Sequence, residues 1–230
     1  MKELSKNLLY KTYRPLSKIN TRFFSHFFTN LGYFVKNEAF YNSLQAPEVE
    51  DRIVMHNMLS TQYTGADTNI CFLEFGVCKG ETFAIWVKNN KNAESRFTGF
   101  DTFEGLPEDW GNIKKGAYSA NGKLPDIQDD RIDFKVGLIQ DTLPGFVKTM
   151  RKGVKKIIHI DVDLYNATLI SLVYIQPFLE KGDVVIFDDF FTVTKAAHEY
   201  RAFCDFLSMY NIQYKPVVKC RRGHVAIEIL

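Results

Sequence analysis

Nothing in these 230 residues approaches the ~18 consecutive apolar residues of a membrane-crossing helix. No charged start is followed by an apolar stretch and a small-residue cleavage site, so no leader peptide is expected. The four cysteines, Cys71, Cys78, Cys204 and Cys220, are scattered and form no CxxC pair. That pattern argues against a structural zinc site and a disulfide framework, and fits a reducing cytoplasm. Charge of one sign is also missing: 29 Lys and Arg face 27 Asp and Glu, for a net charge of +2. Composition therefore gives no push toward nucleic acid or an acidic polymer. Internal repeats and low-complexity linkers are absent, and so is the GxGxxG loop of dinucleotide enzymes.

What is present suits one α/β domain with an appendage, since 46% of the residues are hydrophobic. The appendage is Met1 to Lys36, basic and aromatic, with Phe23, Phe24, Phe27, Phe28, Tyr33 and Phe34. Residues 1–45 are expected to form a helical arm or lid that packs on the domain or joins subunits into a homo-oligomer. A helix lying on a membrane surface is the alternative.

From about Ala46 the chain alternates strand-like and helix-like segments, the pattern of a parallel sheet with crossover helices. Pro47 to Tyr63 reads as a helix, with Pro at its start and Glu48, Glu50 and Asp51 in its first turn. Strands are expected at Ile70–Phe75, Phe97–Phe100, Ile132–Val136, Ile157–Ile160 and Val184–Phe187. Helices are expected at Glu81–Asn89, Thr168–Leu179 and Thr194–Tyr210. Gln213–Cys220 and His224–Leu230, split by Arg221-Arg222-Gly223, read as an antiparallel hairpin. The stretch from Thr102 to Arg131 has no strand or helix pattern, and such a loop inside a domain usually carries function.

The chemistry begins after the first strand, at Glu74-Phe75-Gly76-Val77-Cys78-Lys79-Gly80-Glu81-Thr82. Gly76 and Gly80 permit a tight turn and close backbone approach to a ligand. The next helix begins there with unpaired N–H groups. The spacing ExGxxxG lacks the middle glycine of a pyrophosphate loop, and suits the methionine part of S-adenosylmethionine, with Thr82 on its carboxylate. Asp101 follows 21 residues after Gly80, at the end of the second strand, where a carboxylate can accept two ribose hydroxyls. The turn after the third strand holds Gly137, Ile139 and Gln140, with Ile139 placed against an adenine and Gln140 on its edge.

Two acidic clusters close apolar strands: Asp161-Val162-Asp163 and Asp188-Asp189. Carboxylates converging there repel one another, and a divalent cation resolves the repulsion. All-oxygen ligands point to Mg²⁺, Ca²⁺ or Mn²⁺ rather than zinc.

Five blocks then appear in order: Glu74 to Thr82, Gly99-Phe-Asp-Thr-Phe-Glu-Gly-Leu-Pro107, Asp141-Thr-Leu-Pro144, His159-Ile-Asp-Val-Asp-Leu-Tyr165 and Asp188-Asp189. With them the chain from about Ala46 to Leu230 resembles the macrocin O-methyltransferases, which methylate sugar hydroxyls of antibiotics and other glycosides. More distantly it is similar to catechol-type O-methyltransferases. The resemblance implies a Rossmann-like class I methyltransferase fold: a mostly parallel sheet, a C-terminal antiparallel hairpin, and helices on both faces. It implies S-adenosylmethionine and Mg²⁺ as cofactors, the metal held by Asp161, Asp188 and Asp189, and Asp163 as general base. Asp161 would serve both cofactor and reaction. Two departures stand out: relatives often carry a Trp-Arg-Gly-Gly type run at Cys78 to Glu81, and the N-terminal arm has no match.

The reaction expected is in-line transfer of the sulfonium methyl to a hydroxyl of a small molecule or glycan. The Thr102–Arg131 segment, with Trp110, Tyr118 and several acids, is the expected specificity element, its rings stacking on a sugar. His159 reads as a packed residue; His198 and Arg201 read as pocket-lining or as a solvated helix face; His56 and His224 carry no signal. A metal-dependent glycosyltransferase using a nucleotide-sugar through Asp161-Val162-Asp163 is the main competitor, though it leaves the glycine loop and Asp101 without a role. An NAD-dependent oxidoreductase and a non-catalytic scaffold are weaker readings.

Overall fold

The computed structural model describes residues 21–191, 198–221 and 223–230, and for 21–30 and 34 the backbone path alone. Residues 1–20 of the basic aromatic stretch, residues 194–197 of the expected last helix, and Arg222 lie outside the described residues.

The first helix, α1 (Thr21–Ser43), is anchored through its C-terminal half. Asn37 is fully buried and donates to the Phe190 carbonyl at 2.7 Å, and the Tyr41 hydroxyl donates to the Cys220 carbonyl. The Tyr41 ring stacks on Phe191.

The helix expected over Pro47–Tyr63 divides into three pieces. Glu48–Val49 forms a short strand, β1, paired in parallel with Lys219 and Cys220. Asp51 then caps α2 (Arg52–Met58), its carboxylate accepting from the Val54 N–H at 2.9 Å. Such a cap is worth ~1 kcal/mol and fixes the helix start. A π-helical turn, Leu59–Tyr63, follows.

From there the chain alternates as expected, with one helix, α4, that is not among the expected helices: β2 (Ile70–Phe75), α3 (Glu81–Asn89), β3 (Arg96–Asp101), β4 (Ile132–Val136), α4 (Ile139–Phe146), β5 (Lys155–Ile160), α5 (Tyr165–Ile175), β6 (Val184–Phe187), α6 (His198–Met209), β7 (Tyr214–Cys220) and β8 (Val225–Ile229). Helix α5 begins three residues before the expected Thr168, and its last turn tightens into a 3-10 turn at Gln176–Phe178.

One eight-stranded sheet runs β1-β7-β8-β6-β5-β2-β3-β4. Only β8 opposes its neighbours, pairing antiparallel with β6 and β7, so the hairpin closes an otherwise parallel sheet. The order reverses between β2 and β5, and open α/β sheets bind ligands beyond the carboxyl ends of strands at such a switch point.

Strand alternation sends Leu73, Phe75, Ile158, Ile160, Val185 and Phe187 into one core layer, with Leu172 and Phe203 from the helices. Phe72, Ile157, Val184 and Ile186 face the other layer, under α2 and α3, with Met55, Phe83 and Trp86. Glu74 and His159 share the parity of this second layer and are paired across β2 and β5. Two ionisable groups are thereby placed under the ligand crevice.

The Thr102–Arg131 segment has no regular element beyond a single bridge between Trp110 and Ile113, yet it is folded. Leu106 and Trp110 pack on Leu164 as a small separate core.

Candidate active site

Gly76 follows β2, and the Asp161 N–H donates to the Phe75 carbonyl at 2.8 Å. A Cβ at Gly76 would meet the Asp161 carbonyl oxygen at 1.7 Å, and its φ is +86°. Only glycine lets this loop lie so close to the acidic strand end. Gly80, with φ +77°, then opens α3.

Asp101, at the end of β3, ties two loops together. One carboxylate oxygen accepts from the N–H groups of Val77 and Cys78 at 2.8 and 2.6 Å. The other accepts from Phe103 at 2.7 Å. Each oxygen takes two hydrogen bonds, so Asp101 keeps acceptor capacity toward the cavity it lines.

That cavity measures about 530 Å³. Its lining includes Gly76, Asp101, Gly137, Ile139 and Gln140 together with Asp161, Asp163, Asp188 and Asp189. Ile139 and Gln140 come from the first turn of α4, where the sequence suggests a simple strand-end turn. Three of the expected cofactor residues are not in the wall. Glu74 is fully buried beneath it and accepts from the Thr82 hydroxyl at 2.7 Å. Thr82 points inward from α3, so its hydroxyl goes to Glu74 instead of a cofactor carboxylate. Gly80 sits against Pro125.

The acidic side is built on strand ends. Asp161 and Asp188 follow the paired ends Ile160 and Phe187. One ligand atom each from His159, Asp161 and Asp188 lies within 4.8 Å of the others. Burial and the nearby Asp188 charge raise the Asp161 pKa well above the usual carboxylate range. Burial would raise Asp188 too, but His159 and His224 outweigh it and hold Asp188 well below that range. His224 Nδ1 stands 3.1 Å and His159 Nε2 3.7 Å from Asp188 Oδ1. Burial lowers His159, yet Asp188 and Glu74 on either side push its pKa up to about 10.

Asp163 adopts φ +61°, a left-handed conformation that costs of order 1–3 kcal/mol in a non-glycine residue and persists where surroundings enforce it. The Asp189 N–H donates to Glu199 at 3.0 Å. Glu199 is fully buried, and burial together with four neighbouring aspartates raises its pKa well above the usual range.

Several of these groups are invisible in the sequence. Glu199 arrives on α6, ten residues after Asp189. His224 reaches Asp188 only because β8 lies beside β6. His56 is buried against His159, ring centroids 4.5 Å apart, and accepts from Trp86 Nε1 at 2.8 Å. Arg52, from the start of α2, stands over the acids, 3.5 Å from Asp161 and 3.4 Å from Asp188.

The reverse also occurs. Trp110 is 1% exposed and cannot stack on a ligand, whereas Tyr118 is 54% exposed and lines the cavity. His198 accepts from the Tyr165 N–H, and Arg201 lies over the Tyr165 ring; neither reaches the cavity wall.

A family model described as a methyltransferase domain matches residues 73–190, just over half of the chain. The chain belongs to that family. Its matched region carries the glycine loop, Asp101 and both acidic clusters, which removes the glycosyltransferase and dehydrogenase readings. A curated protein of Streptomyces olivaceus, 8-demethyl-8-(2,3-dimethoxy-alpha-L-rhamnosyl)-tetracenomycin-C 4'-O-methyltransferase, is 36% identical over 84 residues. That match spans 36% of this chain and 31% of the Streptomyces protein. Among solved structures, the O-methyltransferase NovP superposes with a TM-score of 0.58 at 18% identity, covering 77% of this chain and 78% of its own. Apo CalS11, a TDP-rhamnose 3'-O-methyltransferase of calicheamicin biosynthesis, gives 0.55 at 21%, covering 77% and 81%. At such identities the likeness speaks for the shared methyltransferase fold. Among the described residues no helix is long and apolar enough to cross a membrane.

Proposed function

We propose that this methyltransferase transfers the methyl group of S-adenosylmethionine to a hydroxyl of a sugar or glycoside, with a divalent cation at Asp161, Asp188 and Asp189 and with Asp163 as general base. The observation that carries the reading is the single cavity at the switch point. It joins the adenosine-type wall of Asp101, Ile139 and Gln140 to the acidic wall. The sugar acceptor follows from the Streptomyces relative, named for a rhamnosyl O-methylation. Residues 46–230 would be the catalytic domain and the N-terminal segment an arm or lid.

In this reading Gly76, with no side chain, lets the methionine part lie close against the loop after β2, and Asp101 accepts from the ribose. Ile139 covers the adenine, with Gln140 at its edge. The donor set fits a cation: the Asp161 and Asp188 carboxylates lie together at neighbouring strand ends, with ligand atoms within 4.8 Å of each other. Asp189 lines the same cavity wall, and an all-carboxylate donor set suits Mg²⁺ or Mn²⁺. When bound, the cation would act as a Lewis acid that lowers the acceptor hydroxyl's pKa. Asp163 takes the hydroxyl proton as the oxygen forms its bond to the methyl carbon. The carbon–sulfur bond breaks with its electron pair staying on sulfur, leaving neutral S-adenosylhomocysteine. Tyr118 orients the acceptor by stacking.

Transfer of labelled methyl from S-adenosylmethionine to a panel of rhamnosides, with Mg²⁺, Mn²⁺ or EDTA, tests this. Cation-dependent methyl ethers are expected. Methylation of amines or carboxylates alone, or full activity in EDTA, would overturn the acceptor or the cation assignment respectively.

A further inference from the structure

Arg52 has no part in the reaction just described, yet it occupies the most strongly charged point of the site. Its guanidinium forms three ion pairs. Nη2 lies 3.0 Å from Glu81, while Nη1 lies 3.4 Å from Asp188 Oδ2 and 3.5 Å from Asp161 Oδ2. The two aspartates are the carboxylates proposed to hold a cation, and a guanidinium this close offsets part of their charge. Asp188 and Asp161 push the Arg52 pKa further up despite burial, so the charge is permanent.

The side chain also has somewhere to go. Arg52 forms part of two cavity walls: the 530 Å³ active-site cavity and a neighbouring cleft of about 560 Å³ lined by Asp51, Arg52, Ile53, Glu81 and His224. Glu81 lies on that second cleft and not on the first. The Glu81 carboxylate is 65% exposed and free to follow the guanidinium outward.

We propose that Arg52 is an exchangeable counter-cation. It holds Asp161 and Asp188 in the cation-free protein and retreats toward Glu81 and the second cleft when a divalent cation takes the acids. A guanidinium and a divalent cation a few ångströms apart repel strongly in a half-buried site, so both cannot engage the same two carboxylates. The exchange keeps a positive charge beside the acids in either state and sets how tightly the cation binds. It rests on the cation reading above.

The test uses the full chain and Mn²⁺ alone, with free Mn²⁺ followed by electron paramagnetic resonance and melting temperature recorded in parallel. The variants are Arg52→Gln and Glu81→Gln, with Asp188→Asn as the site-dead control. Arg52→Gln should bind Mn²⁺ about tenfold more tightly, the weight of one lost half-buried ion pair. Its melting temperature should fall in EDTA and recover with Mn²⁺ by more than the wild type gains. Glu81→Gln, an exposed change on α3, should act oppositely and weaken Mn²⁺ binding, since Arg52 loses its alternative partner. Equal Mn²⁺ affinity in all three sighted proteins would overturn the exchange while leaving the cation site standing. Weaker binding by Arg52→Gln would make Arg52 a support of the cation-bound state and overturn it too. If the wild type binds no more Mn²⁺ than Asp188→Asn, the cation reading fails and the exchange with it.

Discussion

Asp163 and His159 show how two neighbours on one strand end acquire different work. Asp163 reaches the cavity wall through a left-handed backbone that a β-strand continuation would not give it. Replacing it by Asn keeps the side chain's shape but removes the proposed base. Asp163→Asn is therefore expected to lower kcat by ~10²–10⁴, with S-adenosylhomocysteine affinity unchanged by calorimetry. A matching loss of that affinity would place Asp163 in cofactor binding instead. His159 faces inward, and its pKa is raised to about 10 by Asp188 and Glu74 against the effect of burial. A histidine raised in the folded state stabilises fully below its unfolded value of ~6.5, and that contribution disappears as pH climbs through 10. In EDTA the melting temperature should fall steadily from about pH 6.5 to 10, and His159→Gln should flatten that decline. A wild-type curve already flat over this window would show that His159 is neutral in the fold.

The acids Asp161, Asp163, Asp188 and Asp189 are legible in the sequence because the two clusters close the strand-like runs Ile157–Ile160 and Val184–Phe187. Their partners are not. Glu199, His224, Arg52 and His56 come from elements whose positions depend on the sheet order, and nothing in their local sequence marks them. Thr82 shows the opposite failure. A hydroxyl in the first turn of a helix after a glycine loop suggests a ligand, but α3 is rotated so that Thr82 faces Glu74.

At the scale of elements, the strands read well because apolar runs of four to six residues bounded by turns have few alternatives. Helix α2 reads badly because Pro47 and three early acids imitate a helix start, whereas Asp51 is the true cap and Glu48–Val49 has already joined the sheet. The Thr102–Arg131 segment is legible as a long irregular loop, and part of it lines the cavity, but its internal packing is not legible. Its two candidate aromatics divide the labour: Trp110 holds the segment together and Tyr118 faces the cavity. The Tyr118 carbonyl accepts from the Cys78 thiol, tying the segment to the glycine loop after β2. Tyr118→Ala should raise the acceptor KM severalfold while leaving cofactor affinity and melting temperature nearly unchanged. Trp110→Ala should instead cost ~3–5 kcal/mol of stability, read as a fall in denaturation midpoint. Equal kinetic effects without any change in stability would contradict this division.

At the scale of the whole molecule, the sheet order does the decisive positioning. Because β2 and β5 are neighbours with opposite directions of onward travel, the glycine loop and the acidic strand ends open into one crevice. Gly76 is the contact point. Gly76→Ala would drive a methyl into the Asp161 carbonyl, so the variant should lose cofactor binding, and its loss of several kcal/mol should show in thermal unfolding. The β6–β8 pairing adds His224 beneath Asp188, so the C-terminal hairpin contributes to the site as well as closing the sheet.

The central claim is that this crevice holds S-adenosylmethionine beside the acids. Calorimetric titration with S-adenosylhomocysteine, run beside UDP-sugars and NAD, tests it most directly. Micromolar binding of S-adenosylhomocysteine, lost on Asp101→Ala and retained in Asp163→Asn, is the expected result. Binding of a UDP-sugar or NAD with none of S-adenosylhomocysteine would contradict it.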